Sequence, residues 1–187
     1  MDKIIEKTFN DHLETLKQTQ EQLSPAIKEA AMQIGNALKN NHKVLLVGNG
    51  GSAADAQHIA AEFTGRFVKE RAPLAAIALT TDTSALTAIG NDYGYEQVFS
   101  RQVYALGNAG DVLIAISTSG NSPSILTAVT AAKEKGLVTI GLTGKDGGDL
   151  KNRCDLSLIV PSAVTAHIQE MHILIGHLFC AYIDTIY

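Results

Sequence analysis

From residue 43 onward the sequence carries five short apolar runs, at 44–47, 75–79, 112–116, 138–142 and 156–160, and they constrain the fold more than any other feature. A strand with one wet face alternates apolar and polar residues, whereas a strand that is apolar throughout is buried on both faces of a parallel sheet. Between these runs lie segments of helical length at 53–63, 83–89, 96–106 and 122–135, and residues 165–186 form a final long one. This alternation predicts an α/β fold: a doubly wound, five-stranded parallel sheet flanked by helices. The Gly144-Lys145-Asp146-Gly147-Gly148 stretch reads as a turn between strands.

Ahead of the first run, Ile4, Ile5, Phe9, Leu13 and Leu16 recur at helical spacing, and Ile27, Ala30, Ala31, Ile34, Ala37 and Leu38 do so again after Ser24-Pro25. Ser24 as a cap and Pro25 in a first turn predict two leading helices. The first is rich in Gln and Glu and has a narrow apolar stripe, so it needs a partner surface, and an oligomer interface is expected there. A length of 187 residues suits one domain, 1–187, in which helices at 1–42 precede a core at 43–187.

Charge narrows the ligands. The chain has 15 Lys and Arg against 19 Asp and Glu, a formal net charge of -4, with no basic stripe, which argues against nucleic acid. Cys154 and Cys180 lack a nearby partner cysteine and read as buried free thiols. The start Met1-Asp2-Lys3-Ile4 turns polar at once, unlike a signal peptide, and no apolar run reaches the roughly 18 residues that span a bilayer. A cytoplasmic protein with no membrane partner is expected.

Two loops fall where ligands bind in such sheets, beyond the carboxyl ends of strands. One reads Gly48-Asn49-Gly50-Gly51-Ser52, the other Ser117-Thr118-Ser119-Gly120-Asn121-Ser122, and each leads into a helix. Glycines admit an anion close to backbone N–H groups and hydroxyls add donors, so both suit a phosphate or sugar. The alternatives are a tight strand-to-helix turn for the first and helix capping for the second. Neither is a Walker motif and the first lacks GxGxxG spacing, which disfavours ATP and NAD.

Past the first loop, His58 and Glu62 are four apart on one helical face. That spacing fits two ligands of one metal, a carboxylate base beside an imidazole, or a solvated surface pair. The last helix carries Gln169, Glu170, His172 and His177; Gln169 and His177, eight apart, return to a common face, and His172 reads as structural. Asn91-Asp92-Tyr93-Gly94 reads as a polar turn, and Arg66 either as a neutraliser of its helix C-terminus or as a substrate contact.

In order and spacing these motifs, with Asp55-Ala56-Gln57-His58, Thr64-Gly65-Arg66 and Leu142-Thr143-Gly144-Lys145, resemble the sugar isomerase (SIS) domain family over nearly the whole chain. Within it the resemblance is to the phosphoheptose isomerases, which convert sedoheptulose 7-phosphate to D-glycero-D-manno-heptose 7-phosphate, the first step of ADP-heptose synthesis for lipopolysaccharide core or related glycans. The resemblance implies a homotetramer with sites at subunit interfaces. It implies one zinc per subunit, held by His58, Glu62, Gln169 and His177. It also implies substrate contacts from Asn49, Gly50, Gly51, Ser52, Glu62, Asn91, Asp92, Ser117, Thr118, Ser119, Ser122 and Gln169, and Glu62 and His177 as the catalytic pair. One departure stands out: His167 occupies a position, two before the Gln, where the family commonly has Arg.

A non-catalytic relative of the same fold binds the bacterial replication initiator; that relative lacks the metal-site glutamate, whereas Glu62 is present. A sugar-sensing domain of a transcription regulator would be accompanied by a DNA-binding helix-turn-helix, of which there is no sign before residue 43. An arabinose-phosphate isomerase would carry further regulatory domains, for which the chain has no room.

Overall fold

The computed structural model describes residues 1–187. Strands β1 (Val44–Gly48), β2 (Ala76–Ala78), β3 (Val112–Ile116), β4 (Val138–Gly144) and β5 (Leu156–Val160) form one parallel sheet in the order β2-β1-β3-β4-β5. Each apolar run is divided by the pleat. Val44 and Leu46 of β1, with Val112, Ile114 and Ile116 of β3, enter a core covered by helices α1 (Asp2–Lys39), α2 (Gly51–Thr64) and α7 (Thr165–Ile186). Leu45 and Val47, with Leu113 and Ala115, enter a second core against α4 (Ser100–Leu106), α5 (Pro123–Glu134) and Leu150 of the short α6 (Leu150–Arg153). Truncating a fully buried residue such as Ile114 to Ala would cost about 2–5 kcal/mol by loss of burial and the cavity left behind.

Three expectations need correction. The two leading helices are one: α1 runs unbroken from Asp2 to Lys39 with Pro25 inside it. Proline costs a helix interior roughly 3 kcal/mol. Here the Ser24 hydroxyl bonds back to the Gln20 carbonyl rather than capping a new helix, and Ala30, Ala31, Ile34 and Leu38 lock the following turns into the core. The segment 96–106 is divided into a 3₁₀ turn (Tyr95–Gln97) and α4. Finally, Asn91 and Asp92 do not lie in a turn, because α3 (Thr83–Tyr93), capped by the Asp82 carboxylate on the Ala85 amide, continues through them to Gly94 at φ 88°.

The sheet order places the site. From β1 the chain crosses outward to β2, then returns past β1 to β3, so the loops after β1 and β3 part on opposite sides and leave a crevice between them. Gly48 pairs with Ile116 at the strand ends, which sets Asn49 beside Ser117 at its floor.

Candidate active site

At the crevice, α2 starts immediately after β1. A Cβ on Gly48 would lie 2.3 Å from the Ser52 carbonyl oxygen, so only glycine lets the helix turn back so tightly on its strand. Asn49 is fixed from two sides: its amide donates to the Ser124 hydroxyl (3.0 Å), and its carbonyl oxygen accepts from the Tyr95 hydroxyl (2.8 Å). These residues, with Glu96, Ser122 and Pro123, line a cleft of about 270 Å³.

Across the crevice, the loop after β3 is held open as a cradle. Gly120 sits at φ +67°, and a Cβ there would lie 2.0 Å from the Gly147 carbonyl oxygen. The 144–150 turn buttresses the loop, through Leu150 N–H to the Gly120 oxygen and Asp149 N–H to the Asn121 side chain, each 2.9 Å. Ser122 precedes α5 but makes no side-chain cap; it accepts instead from the Ser117 hydroxyl at 3.2 Å. The amides of Thr118 and Ser119 donate to no backbone carbonyl. Hydroxyls and free amides at one helix start are an anion-binding arrangement, and capping alone does not account for them.

Farther along α2, His58 faces two groups at once. Its Nε2 lies 3.1 Å from Nε2 of His177 on α7 and 3.3 Å from Oε1 of Glu62. Phe67 stacks on the outer face of His177, centroids 5.4 Å apart, and holds the ring in place. In a tetrahedral zinc site with bonds of about 2.0–2.1 Å, neighbouring donor atoms are about 3.3 Å apart, so the His58–His177 and His58–Glu62 separations each match such an ion, and two imidazoles with a carboxylate are donors that suit it. Gln169 stands away from this trio. Its amide covers the start of α2, where a Cβ on Gly51 would lie 2.8 Å from Nε2. Asn91 and Asp92 hydrogen-bond each other at 2.8 Å on the exposed end of α3.

Several contributors were assigned no role from the sequence. Asp55, one helical turn before His58, has its Oδ2 buried without a hydrogen-bond partner. Burial pushes this carboxyl above its ordinary range, against the pull of His58 and His177. Its i, i+3 relation to His58 was the available signal. Arg71, not Arg66, neutralises the C-terminus of α2, donating to the carbonyls of Glu62 (2.8 Å) and Phe63 (3.0 Å). Arg66 turns outward toward Glu70. No sequence rule separates these two arginines, because the difference lies in where Asp184 of α7 meets the loop. His172 is structural as expected: fully buried, it uses Nε2 on the Thr143 carbonyl at 3.1 Å. Cys180 is a buried free thiol and Cys154 a partly buried one, and burial raises both to about 12.

The SIS domain model matches residues 8–144. A phosphoheptose isomerase from a Nitratiruptor species is 58% identical over 180 residues, 96% of either chain. The structure of a phosphoheptose isomerase from Neisseria gonorrhoeae superposes with a TM-score of 0.94 at 49% identity, covering 98% of both chains. One from Francisella tularensis superposes at 0.95 with 44% identity, covering 98% of this chain and 97% of the other.

Proposed function

The chain belongs to the SIS domain family, among its phosphoheptose isomerases, and from that premise we propose that this crevice interconverts sedoheptulose 7-phosphate and D-glycero-D-manno-heptose 7-phosphate, with Glu62 and His177 moving the protons. The observation that carries the assignment is the convergence of Glu62 and His177 on His58, on the helix that starts at the crevice lined by the hydroxyl cradle. From Gly51 to His58 the helix rises about 10 Å. A seven-carbon chain with bonds of about 1.5 Å reaches about 8 Å from C1 to C7, before its phosphate is added. A substrate whose phosphate end lies at the start of α2 therefore spans most of the distance to His58.

Isomerisation removes a proton from C1 of the ketose, forms an enediol, and returns a proton to C2 while O1 loses its proton and O2 gains one. Glu62 is the carbon base. Its Oε1 is turned to His58, which leaves Oε2 to take the C1 proton and deliver it to C2. His177, set by Phe67, gives a proton to O2 and takes one from O1. Ser117, Thr118, Ser119 and Ser122 hold the phosphate with hydroxyls and amides; Gly50, Gly51 and Ser52 close the other wall, and Asn49 orients the sugar.

His58, Glu62, His177 and Gln169 are the residues that would hold a zinc ion, one per subunit. When bound, zinc supplies positive charge that stabilises the enediolate oxygens. The chain acts as a homotetramer. Ile4, Ile5, Phe9 and Leu13 on α1 are 46–72% exposed in the single chain, a stripe suited to burial against other copies. Asn91 and Asp92, whose side chains hydrogen-bond each other and neither loop of their own chain, complete a neighbour's site. No helix is long and apolar enough to cross a membrane. Cytoplasmic action at the head of ADP-heptose synthesis for lipopolysaccharide core fits this chemistry.

The test is to incubate the pure protein with sedoheptulose 7-phosphate in deuterated water, with and without a chelator. Formation of the aldose with deuterium at C2 supports the reading. Absence of both product and exchange in the untreated protein would overturn it.

A further inference from the structure

The structure also brings together His12 on α1 and His167 and Glu170 on α7. We propose that these three side chains form a second site for a divalent transition metal, separate from the His58 cluster. His12 Nδ1 lies 2.7 Å from Glu170 Oε2, and His167 Nδ1 lies 2.9 Å from the same oxygen. All three ligand atoms fall within 4.8 Å of one another. The imidazoles meet edge to face, with centroids 6.3 Å apart and planes at 73°, so their nitrogens converge on the carboxylate instead of stacking.

Two imidazoles and a carboxylate are a zinc-type donor set, and imidazole favours zinc, cobalt, nickel and copper over magnesium or calcium. At present the Glu170 oxygen faces two ring nitrogens at hydrogen-bond distance. Placing a cation among the three atoms opens each N···O separation to about 3.3 Å, a shift of about half an ångström. The site can make that shift, since the His12 and Glu170 side chains are 37% and 42% exposed and free to move, while His167, at 8%, anchors the cluster from within. The same exposure gives an ion a route from solvent and leaves a coordination position open to water. Glu170 is seven residues from His177, about 10 Å along α7, so one ion cannot serve both clusters. Bound metal would tie the long leading helix to the closing helix, which adds stability in proportion to its occupancy.

The site is tested by loading metal-stripped protein with zinc or cobalt alone, counting bound metal after dialysis, and recording the melting temperature. The parent, His12→Ala, His167→Arg and His58→Ala are compared. His167→Arg keeps a cationic partner for Glu170 but offers no ligand, so it separates metal loss from simple unpairing of the carboxylate. The expected result is that His12→Ala and His167→Arg each lose one bound metal per chain relative to the parent, together with part of the metal-induced rise in melting temperature. His58→Ala retains the His12-dependent metal, which keeps this outcome independent of the isomerase assignment. Equal metal content and equal metal-induced stabilisation in the parent, His12→Ala and His167→Arg would overturn the proposal.

Discussion

Arg71 and Asp184, 113 positions apart in sequence, form a buried ion pair at 3.0 Å, and the same guanidinium grips the Glu62 carbonyl oxygen at 2.8 Å. Asp184 also accepts from the amides of Val68 and Lys69, at 2.8 and 2.9 Å. Burial opposes its charge, but these amides and Arg71 outweigh it and hold the carboxyl below the ordinary range. One pair thus ties α7, the loop that carries Phe67, and the last turn of α2 to one another.

Removing one partner of such a pair strands a buried charge. Arg71→Met is expected to lower unfolding stability by about 3–5 kcal/mol, measured by urea denaturation. Arg71→Lys keeps the charge but not the planar fork. It should lose less stability and yet lower kcat, because the Glu62 turn and Phe67 are no longer held together. Unchanged kcat in Arg71→Lys would show that the pair supports the fold alone.

Gly51→Ala places a methyl group against the end of the Gln169 side chain, 2.8 Å from Nε2. A flexible side chain can swing aside, so the fold should survive while Gln169 leaves its place over α2. Weaker zinc binding with a melting temperature within a few degrees of the parent is the expected result. Zinc affinity equal to the parent's would remove Gln169 from the ligand set.

The phosphate is assigned to neutral donors. A hydrogen bond from a hydroxyl to a charged phosphate is worth roughly 1.5–3 kcal/mol, so Ser119→Ala should reduce kcat/KM by about ten- to a hundredfold with zinc content unchanged. Kinetics equal to the parent's would put the phosphate elsewhere.

His172 makes stability depend on pH. Burial lowers it from 6.5 to about 4, against the opposing effect of its bond to Thr143, so the unfolded chain binds the extra proton between these values. Its contribution is complete above about pH 6.5 and is lost as pH falls toward 4, by about 3 kcal/mol in all. His172→Gln should flatten the stability profile between pH 6.5 and 4 relative to the parent, as read from urea unfolding across that range. Parallel profiles would contradict the assignment.

The sheet was legible because each strand is short and apolar on both faces, a pattern that few other structures share. Position 25 misled because proline is weighed locally, while the packing of Ala30, Ile34 and Leu38 that carries α1 through it is tertiary. The two loops and the His58-Glu62 pair were visible because their neighbours in sequence are their neighbours in space. Asn49 with Tyr95, Arg71 with Asp184, and His12 with Glu170 were not, since each joins segments brought together only by the folded sheet and its covering helices. For Asn91 and Asp92 the residue types suggested a turn, but the Asp82 cap set the helix going and Gly94 ended it only afterwards.

The central claim is that Glu62 carries the proton between C1 and C2, and Glu62→Gln tests it most directly. The amide preserves shape and hydrogen bonding but cannot accept a proton. Turnover of sedoheptulose 7-phosphate and deuterium exchange at the substrate carbons, measured together in deuterated water, should both fall by about two orders of magnitude or more, with the melting temperature close to the parent's. Turnover and exchange within a few-fold of the parent would contradict the account.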